Sequence, residues 1–238
     1  MKIKGMAHRG YPVKYPENTI SAFKAAYELG FTHLELDVQL SKDGVAIIMH
    51  DTTVDRMTDA RGRVKDFTFD ELRDLKVGGK EIIPTLEEAL QYAKNKMIVS
   101  IELKQQGDLY DGLEAETLKV IEKTGMMDQV YVNSFDHFAI IKMRELSDEV
   151  ELGLIQPGAT PAVFPLMKEI KAKYLSVKVE FLTDAFVEMC ETRGIQIIAW
   201  PINHTWQFKK VSRYPSIIST TDHLETFKER FLALNNEI

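Results

Sequence analysis

The chain has 238 residues, of which 45% are hydrophobic and 28% charged, and this composition excludes disordered and fibrous proteins. Its 30 basic and 36 acidic residues give a net charge of −6, and no basic run interleaved with aromatic residues points to a nucleic-acid partner. The single cysteine, Cys190, excludes an intrachain disulfide, and the sequence contains neither a signal peptide nor 18 consecutive apolar residues. We therefore expect a cytoplasmic protein without stable membrane insertion.

Strand-like and helix-like segments alternate along the chain. Residues 3–9 predict a strand, Asn18 or Thr19 caps a helix that reaches Leu29, and strands follow at 33–40 and 45–49. A helix then begins at Pro84-Thr85 and reaches about residue 96. The later predicted strands are 97–103, 129–134, 150–156, 174–179, 195–200 and 216–220. The later predicted helices are 113–124, 136–146, 161–171, 183–192, 204–213 and a terminal helix from 223.

These repeated strand–helix units predict an α/β fold with one parallel sheet, in a single domain over residues 1–238. The sheet is either open or closed as a (β/α)8 TIM barrel, and nine strand candidates are one more than such a barrel uses. Only 12 residues separate Asp37 from His50, which is short for a helical crossover. We therefore expect a TIM barrel that is irregular near strands 2–3, with a small insertion at about residues 51–83 after the third strand.

Acidic residues lie near the carboxyl ends of two predicted strands. Glu35 and Asp37 are two residues apart, so their side chains leave the same face of a strand, and the same holds for Glu102 and Lys104. If these faces point into the barrel mouth, three carboxylates converge there and favour one hard divalent cation, Mg²⁺ or Ca²⁺. In the alternative interpretation, the acids point outward and pair with lysines.

Two histidines, His8 and His50, lie at the ends of the first and third predicted strands. Histidine is the usual proton carrier near neutral pH, and Arg9 and Lys104 could bind a phosphate ester beside it. Asp51 either orients His50 or caps the following loop. His33 shares the parity of Glu35 but lies two positions deeper, where a buried histidine is the favoured interpretation.

Two specific motif blocks open the chain, His8-Arg9-Gly10 with Pro16-Glu17-Asn18-Thr19, and residues 35–44 leading to His50-Asp51. Further motifs follow in the order Asp55-Arg56, Pro84-Thr85-Leu86, residues 101–104, Ser134-Phe135, Trp200-Pro-Ile-Asn203 and Thr221-Asp222. In this order they resemble the motifs of the glycerophosphodiester phosphodiesterase family, and the resemblance covers almost the whole chain.

The resemblance implies a TIM barrel with a small insertion that hydrolyses glycerophosphodiesters to glycerol 3-phosphate and an alcohol, through a cyclic phosphate. It implies that Glu35, Asp37 and Glu102 bind the metal and that His8 and His50 are the acid/base pair. The residues that it assigns to the phosphate or the substrate rim are Arg9, Lys104 and Trp200. After this tryptophan the family often has a threonine, where this chain has Pro201. The difference bears on which alcohol the enzyme would prefer.

Two alternatives stay open from the sequence. A lysophospholipase D or phospholipase C type of activity on a lipid would use the same residues and would need an apolar entry. The apolar stripe Leu224, Phe227, Phe231 and Leu234 is a candidate for that entry, although packing against the barrel is the favoured interpretation. The other alternative is a catalytically inactive barrel that only binds phosphodiesters.

Overall fold

The alternating strands and helices close into a barrel in the computed structural model, which describes residues 2–236. The strands are β1 (Ile3–His8), β2 (Phe31–Leu40), β3 (Ala46–Ile48), β4 (Ile98–Leu103), β5 (Val130–Ser134), β6 (Glu151–Gln156), β7 (Tyr174–Lys178), β8 (Gln196–Trp200) and β9 (Ile218–Thr221). The helices are α1 (Ile20–Glu28), α2 (Phe69–Asp74), α3 (Leu86–Ala93), α4 (Leu113–Thr124), α5 (His137–Leu146), α6 (Phe164–Glu169), α7 (Asp184–Glu191), α8 (Thr205–Val211) and α9 (Leu224–Asn236).

Eight parallel strands form the barrel in the order β1-β9-β8-β7-β6-β5-β4-β2, and the pairing of β1 with β2 closes it. Apolar side chains on the outer faces of the strands pack under the helices in one continuous core. The predicted TIM barrel is therefore confirmed, and the sheet is closed rather than open. Among the described helices, none combines the length and apolar character needed to cross a bilayer.

The ninth strand, β3, is the surplus candidate. It runs antiparallel to β2, with Val38 opposite Ile48 and Leu40 opposite Ala46. A hairpin needs only a short turn, whereas a parallel crossover needs a dozen or more residues. This hairpin explains the short spacing between Asp37 and His50, and it confirms the predicted irregularity near strands 2–3.

The insertion after β3 has a small hydrophobic core of its own. The buried side chains of this core are Ile47, Met49, Val54, Val64, Leu72, Val77 and Ile83. The sequence predicted a small insertion here with no helix assigned to it, but residues 69–74 form helix α2. A capping box of Thr68 and Glu71 begins this helix, and the Thr-x-x-Glu spacing is the sequence signal that would have predicted it.

The predicted helix over 161–171 is shorter and irregular at its start. Pro161–Val163 form a 3₁₀ turn, and α6 follows with Pro165 in its first turn. Proline has no N–H to donate, so it is tolerated only in the first turn of a helix. The α-helix therefore begins only at Phe164.

Tightly packed side chains close the barrel beneath its mouth. The residues of this floor are Met6, Tyr131, Tyr174, Ile198 and Ile218. The rings of Tyr131 and Tyr174 stack with centroids 3.9 Å apart. Close to the amino end of β2, His33 is buried as predicted, with Nδ1 2.8 Å from the Thr32 hydroxyl. The floor thus confines the open space inside the barrel to the end at which the strands finish.

The terminal helix α9 packs against the barrel. Leu224 and Phe227 are buried, and Phe31 lies against the ring of Phe227 at a centroid distance of 5.8 Å. Phe231 is partly buried against the same core, whereas Leu234 is 38% exposed. The apolar stripe is therefore mainly a packing surface, and it does not provide the apolar entry that a lipid would need.

Candidate active site

Strand register brings the three predicted carboxylates together at the barrel mouth. In the parallel ladders, His8 of β1 is the partner of Glu35, and Asp37 of β2 is the partner of Glu102. Residues paired in this way point to the same side of a sheet. One carboxylate oxygen from each of Glu35, Asp37 and Glu102 lies within 4.8 Å of the others. Their common position excludes the alternative in which the acids point outward to lysines.

Glu35 and Asp37 are buried and the Glu102 side chain is 13% exposed, and one oxygen of each buried carboxylate accepts no hydrogen bond within residues 2–236. Glu35 Oε1 and Asp37 Oδ1 accept no hydrogen bond from any described residue. Unpaired buried carboxylate oxygens are costly unless a cation compensates them. Such oxygens are the ligands that Mg²⁺ and Ca²⁺ prefer. The site therefore fits a divalent cation on the chemistry of its own atoms.

The pKa values of two carboxyls diverge because their neighbours differ. Burial, together with the negative charge of Asp37, raises the pKa of Glu35 to about 8. Burial also disfavours the charged form of Asp37, but the positive charges of Lys104 and Arg9 outweigh this effect and lower the pKa of Asp37. Its neighbours thus favour the anionic form of Asp37, whereas Glu35 exchanges a proton near pH 8 when no cation is bound.

The two cations predicted to bind phosphate are already engaged with the carboxylates. Lys104 Nζ donates to Glu102 Oε1 at 2.6 Å and lies 3.4 Å from Asp37 Oδ1. Arg9 Nε lies 3.3 Å from Asp37 Oδ2, and the Arg9 backbone N–H donates to Glu35 Oε2 at 2.9 Å. Both side chains also line the cavity. They therefore offset two of the three carboxylate charges and remain available to an anionic ligand.

Asn18 is a site residue that the sequence analysis did not identify as one. The helix cap predicted as Asn18 or Thr19 is Thr19, whose hydroxyl accepts from the Ala22 N–H. Asn18 instead has a left-handed backbone with φ of 58°, and its Nδ2 donates to Asp37 Oδ2 at 2.8 Å. Asn18 therefore fixes the orientation of the Asp37 carboxylate.

His8 forms a pair with a carboxylate from the far end of the sequence. Its Nδ1 lies 2.7 Å from Asp222 Oδ1, although the two residues are 214 positions apart. Asn203 Nδ2 donates to Asp222 Oδ2 at 2.6 Å, so the carboxylate is held on both sides. Burial opposes the charged imidazole, but Asp222 and Glu35 outweigh it and raise the pKa of His8. The closing motif contained Asp222 and Asn203, but the sequence assigned them no role.

His50 belongs to a longer chain of ionic contacts. Its Nδ1 lies 2.7 Å from Asp51 Oδ1, so Asp51 orients His50 rather than only capping the loop. Arg56 Nε donates to Asp51 Oδ2 at 2.6 Å, and another nitrogen of Arg56 donates to Glu17 Oε1 at 2.7 Å. Glu17 Oε1 also accepts from Arg9 at 3.0 Å. Hydrogen bonding to Arg56 lowers the pKa of Asp51 to about 2.

A buried glutamine fixes the loop that carries His50. Gln39 Nε2 donates to the carbonyl oxygens of Met49 at 2.6 Å and Asp51 at 2.7 Å, on either side of His50. The Met49 N–H donates to the carbonyl of Asp37 at 3.1 Å. The hairpin thus holds His50 at the level of the carboxylates, and no local pattern in the sequence indicated this role of Gln39.

A cavity of about 210 Å³ lies among these groups. Its lining includes the predicted residues His8, Arg9, Glu35, His50, Glu102, Lys104 and Trp200. Asp37 lies behind this lining and is 1% exposed. Trp200 is at the rim, where Phe135 contacts it edge-on at a centroid distance of 5.9 Å. The structure thus brings every predicted site residue to one place.

Comparisons with known proteins agree with this geometry. Residues 8–226 match the model of the glycerophosphoryl diester phosphodiesterase family. The glycerophosphodiester phosphodiesterase of Caldanaerobacter subterraneus subsp. tengcongensis is 33% identical to this chain over 234 residues. The match covers 95% of this chain and 96% of that protein. The sequence resemblance therefore extends over the barrel from its first strand to its last helix.

Solved structures share the same fold over nearly their full length. An Oleispira antarctica phosphodiesterase in complex with the product sn-glycerol-3-phosphate is 25% identical with a TM-score of 0.85, and 99% of this chain and 97% of that chain are covered. The glycerophosphodiester phosphodiesterase of Thermotoga maritima is 27% identical with a TM-score of 0.79, and the coverage is 97% and 99%. Sequence, fold and site agree that this chain belongs to the glycerophosphoryl diester phosphodiesterase family and is an enzyme of that class.

Proposed function

We propose that this enzyme hydrolyses glycerophosphodiesters to glycerol 3-phosphate and an alcohol, with one divalent cation held by Glu35, Asp37 and Glu102. The observation that carries the proposal is the convergence of three carboxylates within 4.8 Å, beside a cavity that two carboxylate-bound histidines line. The Oleispira antarctica enzyme, whose structure holds sn-glycerol-3-phosphate, supports this choice of product.

In this proposal, His8 and His50 exchange the protons of the reaction. One imidazole takes the proton of the glycerol 2-hydroxyl as this oxygen attacks phosphorus, and the other gives a proton to the leaving alcohol. The roles reverse when water opens the resulting cyclic phosphate. In both histidines Nδ1 is bonded to a carboxylate, so Nε2 is the atom that faces the substrate.

The remaining groups stabilise the negative charge that develops on the phosphate. Arg9 and Lys104 line the cavity with charged donors, and preorganised donors of this kind need no rearrangement during the reaction. Mg²⁺ or Ca²⁺, held by Glu35, Asp37 and Glu102, would supply Lewis-acid stabilisation of the negative charge. We further propose that the whole chain acts as one domain and works in the cytoplasm, without a nucleic-acid partner.

The test is a panel of glycerophosphodiesters assayed with Mg²⁺, with Ca²⁺ and with chelator after prior metal removal. We expect glycerol 3-phosphate and the free alcohol only with a cation, and phosphorus NMR should detect a cyclic phosphate. A 2-deoxy substrate should bind as a competitive inhibitor and turn over very slowly, because it lacks the attacking oxygen. Full activity in chelator would contradict the metal role, and rapid hydrolysis of the 2-deoxy compound would contradict the cyclic route.

A second candidate function is hydrolysis of a lysophospholipid by the same groups. The observation that favours it is a set of exposed rings in the segments that follow β5 and β7, where Phe135 is 48%, Phe138 83% and Phe181 49% exposed. Lysophosphatidylcholine in the same panel tests this candidate. A higher kcat/KM for this lipid than for any soluble diester would favour it, and binding without turnover of any diester would indicate an inactive binding barrel.

A further inference from the structure

A groove continues from the active-site cavity across the ends of β7, β8 and β9. It shares the walls formed by His8, Trp200 and Pro201 with the cavity. The residues that line only the groove are Lys178, Glu180, Phe181, Asn203 and Asp222. Aromatic surface and polar side chains therefore face each other directly outside the catalytic centre.

The position of this groove indicates which part of the substrate binds there. This assignment rests on the proposed function. In phosphoryl transfer the attacking and leaving oxygens lie on opposite sides of phosphorus. Of the two catalytic histidines, both line the cavity but only His8 lines the groove. His8 is the acid for the leaving alcohol in this assignment, so that alcohol extends into the groove, while the cavity of about 210 Å³ holds the phosphate and the glycerol moiety.

Lys178 makes the Trp200 face of the groove unfavourable to a cation. Its Nζ lies over the Trp200 ring, 5.6 Å from the centroid, and Phe135 fixes that ring from the edge. A quaternary ammonium group binds proteins mainly through aromatic faces. At Trp200 this face already carries a positive charge, which would repel a second one.

The acidic residues of the groove do not restore a cation site. Asp222 is bonded to His8 and Asn203, and Glu180 is exposed, so solvent and salt screen its charge. By contrast, the Lys178 ammonium and the Glu180 carboxylate can donate to and accept from hydroxyl groups. A ring face beside such groups also suits the C–H surface of a polyol.

We propose that the groove is the subsite for the alcohol of the diester, that it selects uncharged polyhydroxy alcohols such as glycerol or inositol over alcohols with a quaternary ammonium, and that Lys178 sets this selectivity. The same positive charge that repels an ammonium group supplies a hydrogen-bond donor to hydroxyls. The selectivity is therefore the difference between the affinity for a polyhydroxy alcohol and the affinity for an ammonium alcohol, and Lys178 acts on both.

The test compares kcat/KM for glycerophosphoinositol and glycerophosphocholine at low salt with saturating Mg²⁺. We expect the wild type to prefer the inositol compound by about tenfold, the order of effect that one partly desolvated cation–π contact gives. Lys178→Glu should reduce this ratio at least fivefold or invert it. Lys178→Met, which removes the charge without adding another, should give an intermediate ratio and guards against misfolding of the glutamate variant.

Lys24→Glu is the matched control, because Lys24 has a 64% exposed side chain on α1 and the charge change is the same. Its ratio should equal that of the wild type. A wild-type preference for glycerophosphocholine would overturn the inference, and so would a ratio that both Lys178 variants leave unchanged. Failure to hydrolyse either diester with any cation would instead overturn the proposed function, and the inference with it.

Discussion

Replacement of Glu35 by glutamine should make the cation-free enzyme more stable while it abolishes activity. The side chain is buried, and its pKa is raised from 4.5 to about 8 by burial and by the charge of Asp37. Below pH 4.5 the carboxyl is neutral in the folded and the unfolded state, so it does not reduce stability. As the pH rises to about 8, the unfolded state releases this proton first, and the folded state loses stability relative to it.

The size of this effect follows from the two pKa values. The linkage relation gives a destabilisation of about 1 kcal/mol at pH 5 and on the order of 5 kcal/mol at pH 8.5. Glutamine has nearly the same shape, does not titrate, and can still accept from the Arg9 N–H. The stability advantage of the variant over the wild type should therefore grow by on the order of 4 kcal/mol from pH 5 to pH 8.5.

The assay is urea unfolding of both proteins in chelator at pH 5 and pH 8.5. Glu28→Gln is the control, because the Glu28 side chain is 63% exposed on α1, and its difference from the wild type should stay constant. Excess Mg²⁺ at pH 8.5 should then stabilise the wild type and not Glu35→Gln, since a cation bound only by the folded state raises its stability. A Glu35→Gln difference that does not change with pH would refute the reasoning.

Three further outcomes are expected. His8→Ala and His50→Ala should each lower kcat by about 10² to 10⁴ in steady-state assays, as for a positioned acid or base; near wild-type turnover would remove that histidine from the mechanism. Arg56→Ala removes the charged hydrogen bond to Asp51, the carboxylate that orients His50. It should therefore lower kcat by about tenfold. Added guanidinium should partly restore the kcat of Arg56→Ala. It should have no such effect on the control variant, Arg63→Ala. Thr68→Ala should lower the free energy of unfolding by about 1 kcal/mol in urea and leave kcat unchanged.

Local patterns in the sequence determined the parallel α/β sheet and the carboxylate pairs of the site. Strand periodicity alone put Glu35 and Asp37 on one face, because side chains alternate along any strand. The lengths of the segments and their alternation indicated one parallel sheet, open or closed as a barrel, and the family resemblance implied the TIM barrel. The short spacing from Asp37 to His50 indicated the irregularity near strands 2–3. The start of α3 was predicted at Pro84-Thr85, and Thr85 caps it in a capping box with Glu88, which depends only on residues three apart.

The tertiary structure decided what depends on register and chain closure. The pairing of β1 with β9 brings Asp222 to His8 across 214 residues, and no local signal carries that information. The hairpin of β2 and β3 places His50 beside Asp37, and Gln39 holds it there with two carbonyl contacts. Packing of the insertion and closure of the barrel fix these distances, because they depend on contacts between segments that lie far apart in the sequence.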